Sequence, residues 1–254
     1  MKDKNSIRSN NLFGVLAALA LSLTQVNTSS AELIGLWHAD GNADDASGQG
    51  YHGTPVNDAT FATDGDRQAF SFDGNGDKVL LEGNPLSGLS QFTYVAWVKP
   101  IKGLNELFSR SGGGIVTGEI FACFITSDGA LSWALNDTKN LAGLTETQRG
   151  LVIFDQWQHI ALSRNGSTIT AYINGEEMSS HTDLRAVNPV MEDPLQFGDW
   201  VAAGYSYNGL IDEIGLFDEA LSQSDIQAII TNGLAGGATA VGSTSWGRVK
   251  ASGH

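Results

Sequence analysis

Three sets of side chains have the types and spacing for chemistry. The first is a carboxylate in an unfavourable place. Residues 208–221 read NGLIDEIGLFDEAL, with Asp212 and Glu213 inside an apolar run instead of at its ends. An ionised carboxylate inside a packed strand is costly unless N–H donors, a partner charge or a cation compensate it, so Asp212 needs a partner. The second is an acid-and-glycine loop in which Asp40, Asp44 and Asp45 are followed by Ser47, Gly48 and Gly50. Short acids among glycines either wrap their oxygens around a hard cation such as Ca2+ or cap their own turns through Asx hydrogen bonds. The third set is aromatic: LQFGDWVAAGYSYNG places Trp200, Tyr205 and Tyr207 around a glycine-containing loop. Rings there either stack on a ligand or pack locally. Trp133, in mid-strand, faces either the core or a concave sheet surface open to ligand.

Other chemistries lack their residues. The five histidines are scattered, with no HExxH motif, and no G-x-S-x-G elbow occurs. Cys123 is the only cysteine and lies in EIFACFITSDG, apolar on both sides. It reads as an inert buried thiol, since a reactive thiolate needs exposure and a nearby base. DGNGDK (73–78) has EF-hand-like oxygens at positions one, three and five. Position six is Lys78 instead of glycine and position twelve is Asn84 instead of glutamate, so it reads as a turn.

The elements that must hold these residues are strands. FTYVAWVKP alternates, with Phe92, Tyr94, Ala96 and Val98 on one face and Thr93, Val95, Trp97 and Lys99 on the other. Ser127-Asp128-Gly129, Asn165-Gly166 and Asn174-Gly175 each mark a turn between β-rich runs. With 31 glycines and no βαβ periodicity, the pattern predicts an all-β, antiparallel sandwich. After the run at 208–221, Ser222 with Asp225 three positions on forms a capping box. Ile226, Ile229 and Ile230 then share one face of a short C-terminal helix.

GLIDEIGLFDEALSQSDI resembles the closing strand and helix of laminin G-like, concanavalin A-like jelly-roll domains. GLWHADGNADDASGQGYHG (35–53), AFSFDGNGDKVLL (69–81), FTYVAWVKP (92–100) and WQHIALSRNGSTITAYINGE (157–176) resemble further pieces of that family, in its order. The resemblance implies a jelly roll over residues 32–231 and assigns Trp97 and Trp157 to packing. In calcium-carrying members, an aspartate of the closing strand meets oxygens of the first strand and its loop. The resemblance therefore implies a calcium site of Asp212, Asp40 and Asp45, with Asp44 solvated. Some relatives are glucanases, whose two glutamates and aspartate alternate on one strand with nucleophile and acid about 5–5.5 Å apart. No such run is present here: in IDEIGLFDE, Glu213 and Glu219 stand six apart with no acid correctly placed between them. Because this fold serves many functions, the role has to come from its sites.

Lys2, Lys4 and Arg8 before an apolar run from Leu12 to Leu23, then Ser29 and Ala31, read as a signal peptide over residues 1–31. The run is too short to span a bilayer, and no later segment is apolar enough. Residues 232–254, rich in Gly, Ala, Ser and Thr, read as a flexible tail, or as a short address tag through TSWGRVK. The chain carries a net charge of −14, and losing the basic leader makes the remainder more acidic still. That field repels nucleic acid. The sequence thus predicts a secreted, non-enzymatic binding or adhesion module. A glycan is the expected partner, bound by Trp200, Tyr205 and Trp133, or else an extracellular protein. With no disulfide available, stability must come from the core and a structural Ca2+.

Overall fold

The computed structural model describes residues 31–110, 120–136, 144–182, 193–200 and 205–234. The predicted signal peptide lies outside them apart from Ala31, as does the predicted tail beyond Leu234. The strands in chain order are β1 (Leu33–Trp37), β2 (Gly53–Val56), β3 (Thr60–Asp64), β4 (Arg67–Asp73), β5 (Lys78–Leu81), β6 (Gln91–Pro100), β7 (Asn105–Arg110), β8 (Ile120–Ile125), β9 (Leu131–Asn136), β10 (Thr145–Glu146), β11 (Gln158–Asn165), β12 (Thr168–Ile173), β13 (Glu176–Thr182), β14 (Leu195–Phe197), β15 (Asp199–Trp200), β16 (Tyr205–Ser206) and β17 (Asn208–Phe217), followed by helix α1 (Gln223–Asn232).

They form two antiparallel sheets and one added hairpin. An eight-stranded sheet runs β13-β12-β11-β6-β17-β4-β3, with β1 also on β17, and a seven-stranded sheet runs β10-β9-β8-β7-β14-β5-β2. Among the described residues β15 and β16 pair only with each other. Between the sheets lies the main core, to which β6 gives Phe92, Tyr94, Ala96 and Val98, one of the two faces that alternation separated. The predicted turns join β8 to β9, β11 to β12, and β12 to β13. Residues 73–78 also turn, because Asp73 accepts from the Asn75 N–H while buried Asp77 accepts from the N–H groups of Asp58 and Asp73.

Helix α1 begins at Ser222, whose hydroxyl accepts from the Asp225 N–H while Asp225 accepts from the Ser222 N–H, the predicted capping box. Its Ile226 and Ile229 pack with Val95, Ala161, Tyr172 and Phe217 on the outer face of the eight-stranded sheet. Leu234 seals the same cluster above Gly215, where an added Cβ would stand 2.6 Å from the Leu234 side chain. The helix therefore covers one end of that face and leaves the other to different residues.

Candidate ligand-binding face

The uncovered end is organised by the strand that carries Asp212. β17 pairs with β6 from Gly209 to Phe217, but the register shifts between Asp212 (opposite Trp97) and Gly215 (opposite Val95). Two residues, Glu213 and Ile214, thus face the single Ala96. Glu213 is the extra one and takes the left-handed φ of 50°, as a β-bulge permits. The bulge resets the alternation. Ile211, Ile214 and Leu216 all enter the core, whereas unbroken period two would have driven Glu213 inward and Ile214 out. Glu213 instead reaches His38, with Oε1 3.0 Å from Nδ1.

Across three neighbouring strands the registers align Asp212, Trp97 and His159 on the outer face. Arg67, at the start of β4, lies over this row. Its Nη1 donates to Asp212 Oδ2 at 2.8 Å, and its guanidinium carbon is 4.3 Å from the Trp97 ring centroid and 5.3 Å from that of Trp157. A guanidinium over two indoles gains from both ring quadrupoles while keeping its planar fork for the carboxylate. Next to it, Asp64 Oδ2 accepts from Lys99 Nζ and from Trp157 Nε1, each at 2.7 Å. Those two hydrogen bonds hold the Asp64 carboxyl below its usual range.

Depth separates the members of this cluster. Asp212 is buried, while the Arg67 side chain is 32% exposed, Lys99 28% and Asp64 35%. Trp97 and Trp157 are partly exposed. His159 is buried and meets Trp97 edge-on, with ring centroids 5.5 Å apart. Burial, then the charge of Arg67, push its pKa down to about 4. At neutral pH it is therefore an uncharged imidazole. The surface that results offers two indoles held by fixed neighbours, with pinned donors and acceptors between them. Its cations and anions are matched in pairs.

The residues expected at a metal site do not converge. Among the described residues, no three His, Cys, Asp or Glu side chains gather to hold an ion. Asp212 finds its compensating charge in Arg67. Asp45 is buried and folds its own loop, Oδ1 accepting from the N–H groups of Leu36 and Ser47 and Oδ2 from that of Tyr51. Burial alone would raise the Asp45 carboxyl, but hydrogen bonds from Ser47, Tyr51 and Leu36 outweigh it and hold the group low. Asp40 is exposed, just after Ala39 with its left-handed φ of 56°. Asp40, Asp45 and Asp212 thus do not fit a shared calcium site, and Asp45 follows the Asx alternative.

The aromatic expectations also change. Trp133 turns into the core, opposite Cys123 on β8. Trp200 is 2% exposed, packed over Ala122 and Ala134 on the outer face of the seven-stranded sheet. Tyr205 is partly exposed, its ring edge-on to Phe124 with centroids 4.7 Å apart. The hairpin lays its aromatics onto the sheet because a ring gains more from covering apolar surface than from water. Trp97 and Trp157 move the other way, from an expected core role to the outer face. The predicted alternation of β6 put Trp97 and Lys99 on one face and Phe92, Tyr94, Ala96 and Val98 on the other, and the structure makes the second the core face. Nothing local marked Arg67, Asp64 or Trp157 as their partners. Cys123 is buried and its thiol is pushed well up by burial, as an inert thiol should be.

A family model, Laminin_G_3 of the concanavalin A-like lectin/glucanases superfamily, matches residues 73–227. Domain 4 of AbnA, a GH43 extracellular arabinanase from Geobacillus stearothermophilus solved with arabinotriose, is similar at TM-score 0.62 and 20% identity. That similarity covers 78% of this chain and 98% of that one. The botulinum neurotoxin serotype D binding domain is similar at TM-score 0.62 and 17% identity, over 80% of this chain and 52% of that one. A botulinum neurotoxin type C structure, from work on cell entry through two ganglioside molecules, is similar at 0.60 and 15%, over 80% and 51%. The chain thus spans about half the length of these toxin chains. No curated protein matches it in sequence.

Proposed function

The chain belongs to the concanavalin A-like lectin/glucanase superfamily, and from that premise we propose that it is a secreted, non-catalytic glycan-binding module. Its ligand lies on the outer face of the eight-stranded sheet, across Trp97 and Trp157. The observation that carries this reading is the Trp97–Arg67–Trp157 stack, fixed by Asp212 and Asp64. Sugar rings present C–H faces to indoles and hydroxyls to fixed polar groups, and a site ordered in advance loses little entropy on binding. Two relatives in fold support the class of ligand, one solved with arabinotriose and one entering cells through gangliosides. The non-catalytic reading follows from the missing alternation of acids and from the pairing of Asp64 and Asp212 with cations. Secretion follows from the basic-then-apolar leader.

Calorimetry against arabino-oligosaccharides, ganglioside headgroups and a wider glycan panel tests it. A glycan should bind, and Trp157→Ala should weaken it roughly tenfold, about 1.4 kcal/mol, with little change in fold. Unaltered affinity in that variant, or reducing sugar released by the wild type, overturns the reading. A second reading, docking of an extracellular protein, draws on exposed Ile101, Leu104 and Ile153. It predicts that Ile153→Asp abolishes binding to that partner while glycans do not bind at all.

A further inference from the structure

The outer face of the eight-stranded sheet carries charge, and the way that charge is paired decides which glycans it can take. Lys99 stands on the same side of β6 as Trp97. Trp157 comes one residue before Gln158, which pairs with Val98, so Trp157 lies beside Lys99. Asp64, at the end of β3, bridges the two. Its Oδ2 accepts from Lys99 Nζ and from Trp157 Nε1, and those bonds keep the carboxyl ionised at neutral pH. An ionised carboxylate only accepts, and an ammonium offers three donors. Among the described residues, Asp64 Oδ1 is therefore left without a hydrogen bond, and Lys99 Nζ keeps two N–H groups. Both side chains are partly open to solvent. A free acceptor and a free donor thus stand side by side at the edge of a partly exposed indole.

The two cations of this face are already paired. Asp64 holds Lys99, and Asp212 holds Arg67 at 2.8 Å. Glu213 adds a third carboxylate at the neighbouring bulge, against His38, and His159 is uncharged at neutral pH. Asp66 in the β3–β4 turn and Asp155, two residues before Trp157, are exposed, as is Lys102 two residues past β6. The chain as a whole carries a net charge of −14. A ligand anion would have to draw Lys99 or Arg67 from a carboxylate that stays within reach of it, in a field that already repels it. A sugar hydroxyl meets neither difficulty, since it donates to a carboxylate and accepts from an ammonium while carrying no charge.

We propose that the glycan taken by this face is a neutral one, read through two adjacent hydroxyls: one donates to Asp64 Oδ1, the next accepts from Lys99 Nζ, and the sugar ring lies on Trp157. This rests on the glycan reading of the outer face and narrows it to uncharged sugars. Asp64 is then the specificity-determining residue. It supplies the acceptor, holds the Trp157 ring through Nε1, and cancels the Lys99 charge that would otherwise attract uronic and sialic acids. The preference is set by charge, so it weakens as salt screens it.

Calorimetry on matched glycans tests it: oligogalacturonate against its methyl ester, a sialylated ganglioside headgroup against the same headgroup after sialidase treatment, and an arabino-oligosaccharide against its aldonate. In about 20 mM salt, where charges act over roughly 20 Å, the neutral member of each pair that binds should be favoured roughly tenfold or more over its acidic twin. In about 0.5 M salt the screening length falls to roughly 4 Å, and the gap should shrink to about threefold or less. Two variants should move the gap in opposite directions, which general damage to the fold would not do. Asp64→Asn leaves the Lys99 charge unmatched, so the gap should narrow by roughly threefold or more while the neutral ligand also weakens. Lys99→Gln keeps a donor but removes the cation, so the gap should widen. An acidic member that binds as tightly as its neutral twin, or a gap that moves the same way in both variants, overturns the proposal and leaves the glycan reading standing. If no pair shows binding, the glycan reading itself falls, and the proposal with it.

Discussion

Replacing Arg67 by methionine removes the charge that compensates Asp212 while keeping most of the apolar stem. Breaking a fully buried ion pair by removing one partner costs about 3–5 kcal/mol. Here only the Asp212 side is fully buried, since the Arg67 side chain is 32% exposed. Solvent screening reduces the charge contribution to about half, or roughly 1.5–2.5 kcal/mol. Loss of the guanidinium over Trp97 and Trp157 adds about 0.5–1 kcal/mol. The expected destabilisation is thus roughly 2–3.5 kcal/mol, or about 4–14 °C in Tm for a domain of this size. Asp212→Asn should cost less, because the Arg67 left behind can turn to water and keep its indoles. Arg67→Met/Asp212→Leu should regain most of the loss, since an apolar pair leaves no buried charge behind. Urea unfolding of the three variants decides the matter. The reasoning fails if Arg67→Met lies within about 0.5 kcal/mol of wild type, the scale of a neutral surface substitution. It fails equally if the double variant is no more stable than Arg67→Met.

Trp200→Ala should destabilise the domain by about 2–4 kcal/mol in urea unfolding, because the ring is buried over Ala122 and Ala134; near-wild-type stability would return Trp200 to an exposed ligand role. His159 should make the domain acid-labile. Its folded pKa is lowered to about 4, so its stabilising contribution is complete above its ordinary value near 6.5 and is lost as pH falls through about 4, at most about 3 kcal/mol. His159→Phe keeps the edge-on contact with Trp97 and should flatten the melting profile between pH 7 and 4; a slope equal to that of wild type would show that other groups carry it.

What the sequence determined by itself is what neighbouring residues decide among themselves. Period-two alternation separated the two faces of β6, though it did not decide which of them faces the core. Turns at Asn165-Gly166 and Asn174-Gly175 fixed two hairpins, and Ser222 with Asp225 fixed the start of α1, because backbone geometry and a three-residue reach are local matters. The need of Asp212 for a partner was also legible, since the cost of a buried charge does not depend on the fold. Its partner was not. Arg67 lies 145 residues away and meets Asp212 only after β4 and β6 have both paired with β17. Nor did the sequence show the bulge at Glu213, the single extra residue that returns Ile214 to the core. Composition marked Trp97, Trp133, Trp157 and Trp200 alike as large and amphipathic. Only the tertiary structure sent Trp133 inward, laid Trp200 on the seven-stranded sheet, and left Trp97 and Trp157 beside a guanidinium on the outer face. The same ring gains by burial or by stacking on a fixed charge, and which applies depends on what the rest of the chain brings to that side of the sheet.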